Sequence, residues 1–376
     1  VSCDIFLVAG EASGDLLGAQ LAERLKKLSP DLRLAGVAGP RMRAVGVTPL
    51  FQMEELNVMG FSDVLASLPR LLSSFFRIRR TILKLEPRAV VFIDYPGMNL
   101  KLAGALWDKI PSKLIQYVCP SVWAWKRHRI QIMEETLDLL LCLFPFEPAL
   151  FNPEKLPARF VGHPLAVSQL TTQAEERPYI ALFPGSRLRE IERNLPILLE
   201  AAERVATPFN KIAISVAHSE LEPLIHRLAA PWLVRHSSWE LVPREQSAQL
   251  MARSHLALAK SGTITLELAL HGVPTVVIYA ISRFDQFLAQ KVFNISLPHY
   301  CIVNLLLSER VFPELFGCYL TVDSLVAAAT TLSQDQAARS HCLARCSQLA
   351  AQLKGDEASQ LAAQEILTVA GIPALV

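Results

Sequence analysis

Charge is scarce in this sequence. Asp, Glu, Lys and Arg make up 19% of its 376 residues, and 37 basic against 35 acidic residues leave a net charge of +2. So balanced a global charge argues neither for nor against nucleic acid; no nucleic-acid partner is expected. Long apolar runs are also lacking. Even LLLCLFPFEPALF, residues 139–151, is broken by prolines and Glu147, whereas a spanning helix needs about 18 uninterrupted apolar residues. There is no CxxC pair. The seven cysteines (Cys3, Cys119, Cys142, Cys301, Cys318, Cys342, Cys346) are odd in number and several lie inside apolar runs, which argues against a disulfide framework or a zinc site and for reduced, mostly buried thiols in a cytosolic protein. The opening VSCDIFLVAGEASGD has no signal-peptide pattern. GxGxxG and GxxxxGK[ST] are both missing, which removes the standard dinucleotide and P-loop readings.

What is present is apolar. Hydrophobic residues reach 51%, and a chain this rich in them implies a partner at its surface, either a membrane or a second copy of itself. Short aliphatic runs (DIFLVA, LAGVA, AVVFID, KLIQYV, DLLLCLF, then YIALFP, KIAISV, WELVP, HLALAKS, PTVVIYA) alternate with amphipathic stretches, the pattern of parallel sheets wrapped by helices. Gly162, Pro164 and the polar tract up to Pro178 break this rhythm. The expectation is an α/β protein of two Rossmann-like domains, residues 1–165 and 166–349, with parallel sheets facing a central cleft. A helical tail, about 350–376, can pack back on the first domain.

Candidate functional residues cluster where strands hand over to helices, the edge where open α/β sheets bind ligands. VAGEASGD, 8–15, sets Glu11, Ser13, Gly14 and Asp15 at such a turn. VVFIDYPGMN ends a strand on Asp94, a carboxylate able to act as base on a hydroxyl. YVCPSVWAWKRHR follows with Trp123 and Trp125, whose faces suit sugar rings, and with Lys126, Arg127 and Arg129, which suit a phosphate. In the second half, FPGSRLRE offers Gly185, Ser186 and Arg187 as an anion-binding turn. LAKSGTITLEL offers Ser261, Gly262 and Thr263, with Glu267 one helical turn on to accept ribose hydroxyls. The Leu/Phe-rich, basic stretch 61–84 has the composition of an element lying in a bilayer interface.

Taken in order, VAGEASGD, GVAGPRM, MEELNVMGFSDVL, YVCPSVWAW, FPFEPALF, FVGHPLA, LFPGSRLREI and SGTITLELALHGVP resemble the lipid-A-disaccharide synthase family, from the first strand to about residue 315. The resemblance implies a GT-B glycosyltransferase that moves 2,3-diacylglucosamine from UDP-2,3-diacylglucosamine to 2,3-diacylglucosamine 1-phosphate, inverting the anomeric centre and releasing UDP. It implies no metal and no cofactor, and a peripheral position on the cytoplasmic face of a bacterial inner membrane. It makes Asp94 the base, Arg187 and Glu267 UDP contacts, and Ser13, Gly14 and Asp15 the acceptor-side turn. Two departures stand out. The family's I-D-x-P-D-F-N reads IDYPGMN, with Gly97 for the second aspartate, and its S-L-P-N segment reads SLPHYCIVN, so either His299 or Asn304 fills the asparagine position, Asn304 being the acceptor-binding candidate the resemblance implies. Should Asp94 prove dispensable, Glu11 and Asp15 are the remaining base candidates. The rival readings are a UDP-N-acetylglucosamine epimerase, another lipid-linked sugar transferase, or a non-catalytic acyl-sugar-binding protein.

Overall fold

A computed structural model describes residues 2–56, 61–123, 126–167, 176–205, 211–280, 299–353 and 358–374, with backbone alone for 61–68. The chain divides into two compact units, Val1–Val167 with Lys354–Val376, and Ser168–Leu353.

The first unit is built on seven parallel strands, β1 (Ile5–Ala9), β2 (Leu34–Ala38), β3 (Thr48–Gln52), β4 (Ala89–Ile93), β5 (Lys113–Tyr117), β6 (Leu139–Cys142) and β7 (Ala158–Phe160), in the order β3-β2-β1-β4-β5-β6-β7. Every residue of β1 and β4 is buried, with Ile5 opposite both Leu34 and Ala89. Strands covered on both faces need apolar side chains at every position, which is why IFLVA and AVVFI read as unbroken runs. The tail helix Ala358–Val369 packs along the first helix, Ala12–Leu28, and sinks Ala362, Ala363, Ile366 and Leu367 into this unit's core.

The second unit repeats the plan with six parallel strands, β8 (Tyr179–Phe183), β9 (Lys211–Val216), β10 (Trp239–Pro243), β11 (Ser254–Lys260), β12 (Thr275–Tyr279) and β13 (Glu314–Phe316), in the order β10-β9-β8-β11-β12-β13. In both sheets the winding reverses direction once, between β1 and β4 and between β8 and β11. The crevice at such a reversal is where doubly wound sheets bind ligands. VAGEASGD leaves β1 and IDYPGMN leaves β4; LFPGSR leaves β8 and KSGT leaves β11. Four motifs thus fall on two switch points.

Within the helix Phe61–Leu85, Ser74, Ile78 and Ile82 are buried, while Leu72 and Phe76 remain 49% and 61% exposed. No helix among the described residues is long and apolar enough to cross a membrane.

Candidate active site

At the first switch point Ser13 Oγ donates to Asp94 Oδ2 at 3.0 Å, so two motifs 81 residues apart meet. The meeting depends on an unusual backbone. Asp94 and Tyr95 are consecutive non-glycine residues in the left-handed region, at φ 52° and 46°, a conformation costing on the order of 1–3 kcal/mol per residue and kept only where the surroundings impose it. Here they do. Asp94 N–H donates to the Tyr117 carbonyl, and the Asp94 carbonyl accepts from Asn99 Nδ2 at 2.8 Å and Gln116 Nε2 at 3.2 Å. Asn99 and Gln116 are fully buried, so the aspartate is clamped from behind while its carboxylate stays half-buried at the edge. Gly10 completes the fit, because a Cβ there would land inside the Tyr95 ring. The Tyr95 hydroxyl is held above its ordinary pKa by burial and, secondarily, by the charge of Glu11, which puts Glu11 on the same edge. Val118, at the neighbouring exit of β5, has φ 81°, so backbone strain gathers along this rim.

Two candidate residues, Asp15 in the first unit and Asn304 in the second, have their polar atoms engaged by other partners. Asp15 is 3% exposed and its carboxylate accepts the N–H groups of Arg41 (2.9 Å) and Met42 (3.1 Å). It caps the short helix Pro40–Ala44 and is not available as a base. Asn304 is fully buried. Its Nδ2 donates to Phe312 O (2.7 Å) and Glu314 Oε1 (2.6 Å), and its Oδ1 accepts from Val311 and Phe312 N–H at 2.9 Å. With both ends of its amide engaged, it closes the turn before β13 and leaves nothing for an acceptor sugar. Trp123 packs edge-on against Phe146, centroids 5.9 Å apart. Lys126 and Arg127 are exposed, and Arg129 opens the helix Arg129–Thr136 with its pKa lowered by burial. Trp125 lies outside the described residues.

Beside them, Cys119, Cys142 and Glu147 bring their heteroatoms within 4.8 Å in a buried cluster. Glu147 accepts from the Leu143 and Phe144 N–H groups at 3.1 Å, and burial pushes its carboxyl up to about 7.

At the second switch point Gly185 adopts φ 125°, and Asn194 Nδ2 holds the preceding Pro184 carbonyl at 2.9 Å. Ser186 and Arg187 stand exposed just before the helix Leu188–Val205. Across the switch, Gly262 is the N-cap of the helix Thr263–Leu270, which receives no side-chain cap among the described residues, and no described atom fills the space where its Cβ would sit. Ser261 Oγ turns to the Tyr300 carbonyl at 3.3 Å and Thr265 closes on Gly262 O at 2.8 Å. Ser261 thus spends its hydroxyl on a loop carbonyl, and among the described residues the helix presents uncapped backbone amides that suit an anion. Glu267 is half-buried, and burial raises its carboxyl while Arg244 pulls the other way.

Sequence reasoning passed over Lys260 and Glu190, which join this site, and Asn99 and Gln116, which support Asp94. Gln116 carried a signal, since an amide within a strand covered on both faces must find buried partners.

Two doubly wound units, each with its polar groups at a switch point, define a GT-B protein. Solved structures share that fold at low identity: MurG from Acinetobacter baumannii (17% identity, TM-score 0.58, 98% of this chain and 100% of that one) and a putative UDP-N-acetylglucosamine 2-epimerase from Listeria monocytogenes (14%, TM-score 0.63, 98% and 95%). A family model described as lipid-A-disaccharide synthetase matches residues 5–366. A lipid-A-disaccharide synthase of Coxiella burnetii is 34% identical over 374 residues, 96% of this chain and 97% of the relative. One from Chlamydia pneumoniae is 40% identical over 324 residues, 83% of this chain and 53% of the relative. The chain spans about half the length of the chlamydial relatives it matches and nearly all of the Coxiella one. The chain belongs to the lipid-A-disaccharide synthetase family.

Proposed function

We propose that the chain is an inverting glycosyltransferase that moves 2,3-diacylglucosamine from its UDP conjugate onto 2,3-diacylglucosamine 1-phosphate, giving the β-1',6-linked disaccharide 1-phosphate and UDP. The observation that carries the reading is the Ser13–Asp94 pair. A clamped carboxylate at a switch point already accepts one hydroxyl, and an acceptor's 6-hydroxyl takes that same kind of hydrogen bond. The 6-oxygen attacks C1 as UDP departs from the opposite face, and its proton passes to Asp94. A positioned base of this kind contributes about 100- to 10,000-fold.

Charge developing on the leaving diphosphate is met by Arg187 and by the amides of Ser186, Gly262 and Thr263, with no metal required. Glu267 accepts the ribose hydroxyls, and Lys126, Arg127 and Arg129 face the acceptor phosphate. Leu72 and Phe76, beside the exposed Arg70, Arg80 and Lys84, support attachment to the cytoplasmic face of the inner membrane, where acylated substrates lie.

The test mixes purified protein with both acylated substrates in EDTA. Disaccharide formation is the expected result. Turnover of UDP-N-acetylglucosamine without acyl chains would favour the epimerase reading, and binding of both ligands without UDP release would leave a non-catalytic carrier.

A further inference from the structure

At the second switch point, one carboxylate gathers groups from both loops. Glu190 Oε2 accepts the Ser186 N–H at 3.2 Å, and its Oε1 lies 3.2 Å from both Arg187 Nη1 and Lys260 Nζ. Arg187 arrives from the β8 exit, with its side chain 80% exposed. Lys260 is the last residue of β11 and its side chain is only 18% exposed, the ammonium standing 5.3 Å over the Tyr279 ring. A lysine free to point into water would not be held so. The turn is moulded around this carboxylate, since a Cβ on Gly185 would come within 2.7 Å of Glu190 Oε2. Burial raises the Glu190 pKa, but Lys260, the Ser186 amide and Arg187 together bring it below the ordinary range, so the group is an anion.

Two cations on one carboxylate leave a local excess of one positive charge. A nucleoside diphosphate brings at least two negative charges to the same donors, and Arg187 alone cannot balance them. We infer that Lys260 is the second diphosphate cation of this site, and that Glu190 is an internal placeholder whose carboxylate holds Ser186, Arg187 and Lys260 in position until the diphosphate displaces it. The inference rests on the donor-site reading above and adds two residues to it. Lys260 is a binding residue, and Glu190 is a positioning residue that competes with the ligand for its own partners. The two therefore have opposite signs: removing the lysine weakens UDP, and neutralising the glutamate strengthens it.

The experiment is a calorimetric titration of UDP into the full chain and into Lys260→Met, Lys260→Arg and Glu190→Gln, at several salt concentrations, with melting curves to verify folding. Lys260→Met should raise the UDP Kd about tenfold or more and flatten its salt dependence, because one cation has left the contact. Lys260→Arg should retain most of the affinity. Glu190→Gln should lower the Kd several-fold and steepen the salt dependence. Unchanged affinity in Lys260→Met, or weaker binding with an unchanged salt slope, overturns the role of Lys260, and weaker UDP binding in a folded Glu190→Gln overturns the placeholder. Failure of the unsubstituted chain to bind UDP would instead sink the donor-site reading itself.

Discussion

The two switch points are built on one strand order and carry opposite chemistry. Between β1 and β4 the edge presents carboxylates, Glu11 on extended backbone and Asp94 on backbone forced into left-handed conformation. Between β8 and β11 it presents a guanidinium, an ammonium and uncapped amides, with glycine at the strained position. The contrast follows from what each edge has to hold. Anion binding needs N–H groups and close approach, which glycine gives at little cost. Proton transfer needs one carboxylate aimed within hydrogen-bond reach, and a side chain on strained backbone, clamped by Asn99 and Gln116, is aimed in that way.

The comparison breaks most sharply at Asp94. Asp94→Asn keeps the shape and the Ser13 partner but cannot take a proton, so turnover should fall about 100- to 10,000-fold while the UDP Kd stays within about twofold in a calorimetric titration. Near-normal turnover would transfer the role to Glu11, because Asp15 is occupied by the Arg41 and Met42 amides.

A further carboxylate of this unit, Glu147 just beyond β6, shows that carboxylates here are not interchangeable. Its pKa is raised from 4.5 to about 7 by burial, opposed by the Phe144 and Leu143 amides. The folded state therefore keeps a proton that the unfolded chain releases. Its contribution to stability is complete below about 4.5 and is lost as pH rises toward 7, by up to about 3 kcal/mol. His163, pushed down to about 4 by burial, acts in the opposite direction, with stability rising from pH 4 to 6.5. Because both proteins contain it, it cancels in a difference. The stability of Glu147→Gln minus that of the unsubstituted chain, from denaturant unfolding, should grow between pH 5 and pH 8. A flat difference would end the burial account.

On the cationic edge, Arg187→Ala should weaken UDP by about tenfold, and by less at high salt because the side chain is exposed. It should lower kcat/KM at least as much. Normal UDP affinity in this variant would remove the second edge's claim to the diphosphate and leave the comparison without its cationic half.

Much of this was legible in the sequence. β1, β4, β8 and β11 announce themselves because strands covered on both faces cannot alternate polar and apolar residues, and the loops leaving them stand out for the same reason. What was not legible is where individual polar groups find partners. Asp15 sits in the opening motif like a ligand, but its partners are amides 26 and 27 residues away. Asn304 reads as a substrate contact by resemblance, yet it is consumed by closing a turn. Lys260, at the end of β11, and Glu190, in the helix after β8, meet only because the winding reverses between β8 and β11. Such pairings are products of topology, which local pattern does not encode.

The smallest expected effect separates two adjacent phenylalanines on the helix Phe61–Leu85. Composition alone treats Phe75 and Phe76 alike as candidates for a bilayer interface, and the fold divides them. Phe75 packs against the first unit's core, whereas Phe76 is 61% exposed, its ring set edge-on to Phe75 at 5.5 Å. The basic residues divide too. Arg79 is half-buried and donates to the Ala105 carbonyl, and Arg77, though exposed, stands over Phe51 near Glu55, while Arg70, Arg80 and Lys84 are exposed. Each basic residue close to an anionic surface contributes about 1 kcal/mol, and one interfacial Phe contributes less than the roughly 1.5–3 kcal/mol of full burial. Phe76→Ser should therefore weaken sedimentation with anionic vesicles several-fold and leave the melting temperature nearly unchanged. Phe75→Ser should lower the melting temperature and, once folded, bind vesicles as before. Attachment that ignores Phe76 and persists at high salt would mean that this helix face is not what holds the protein to lipid.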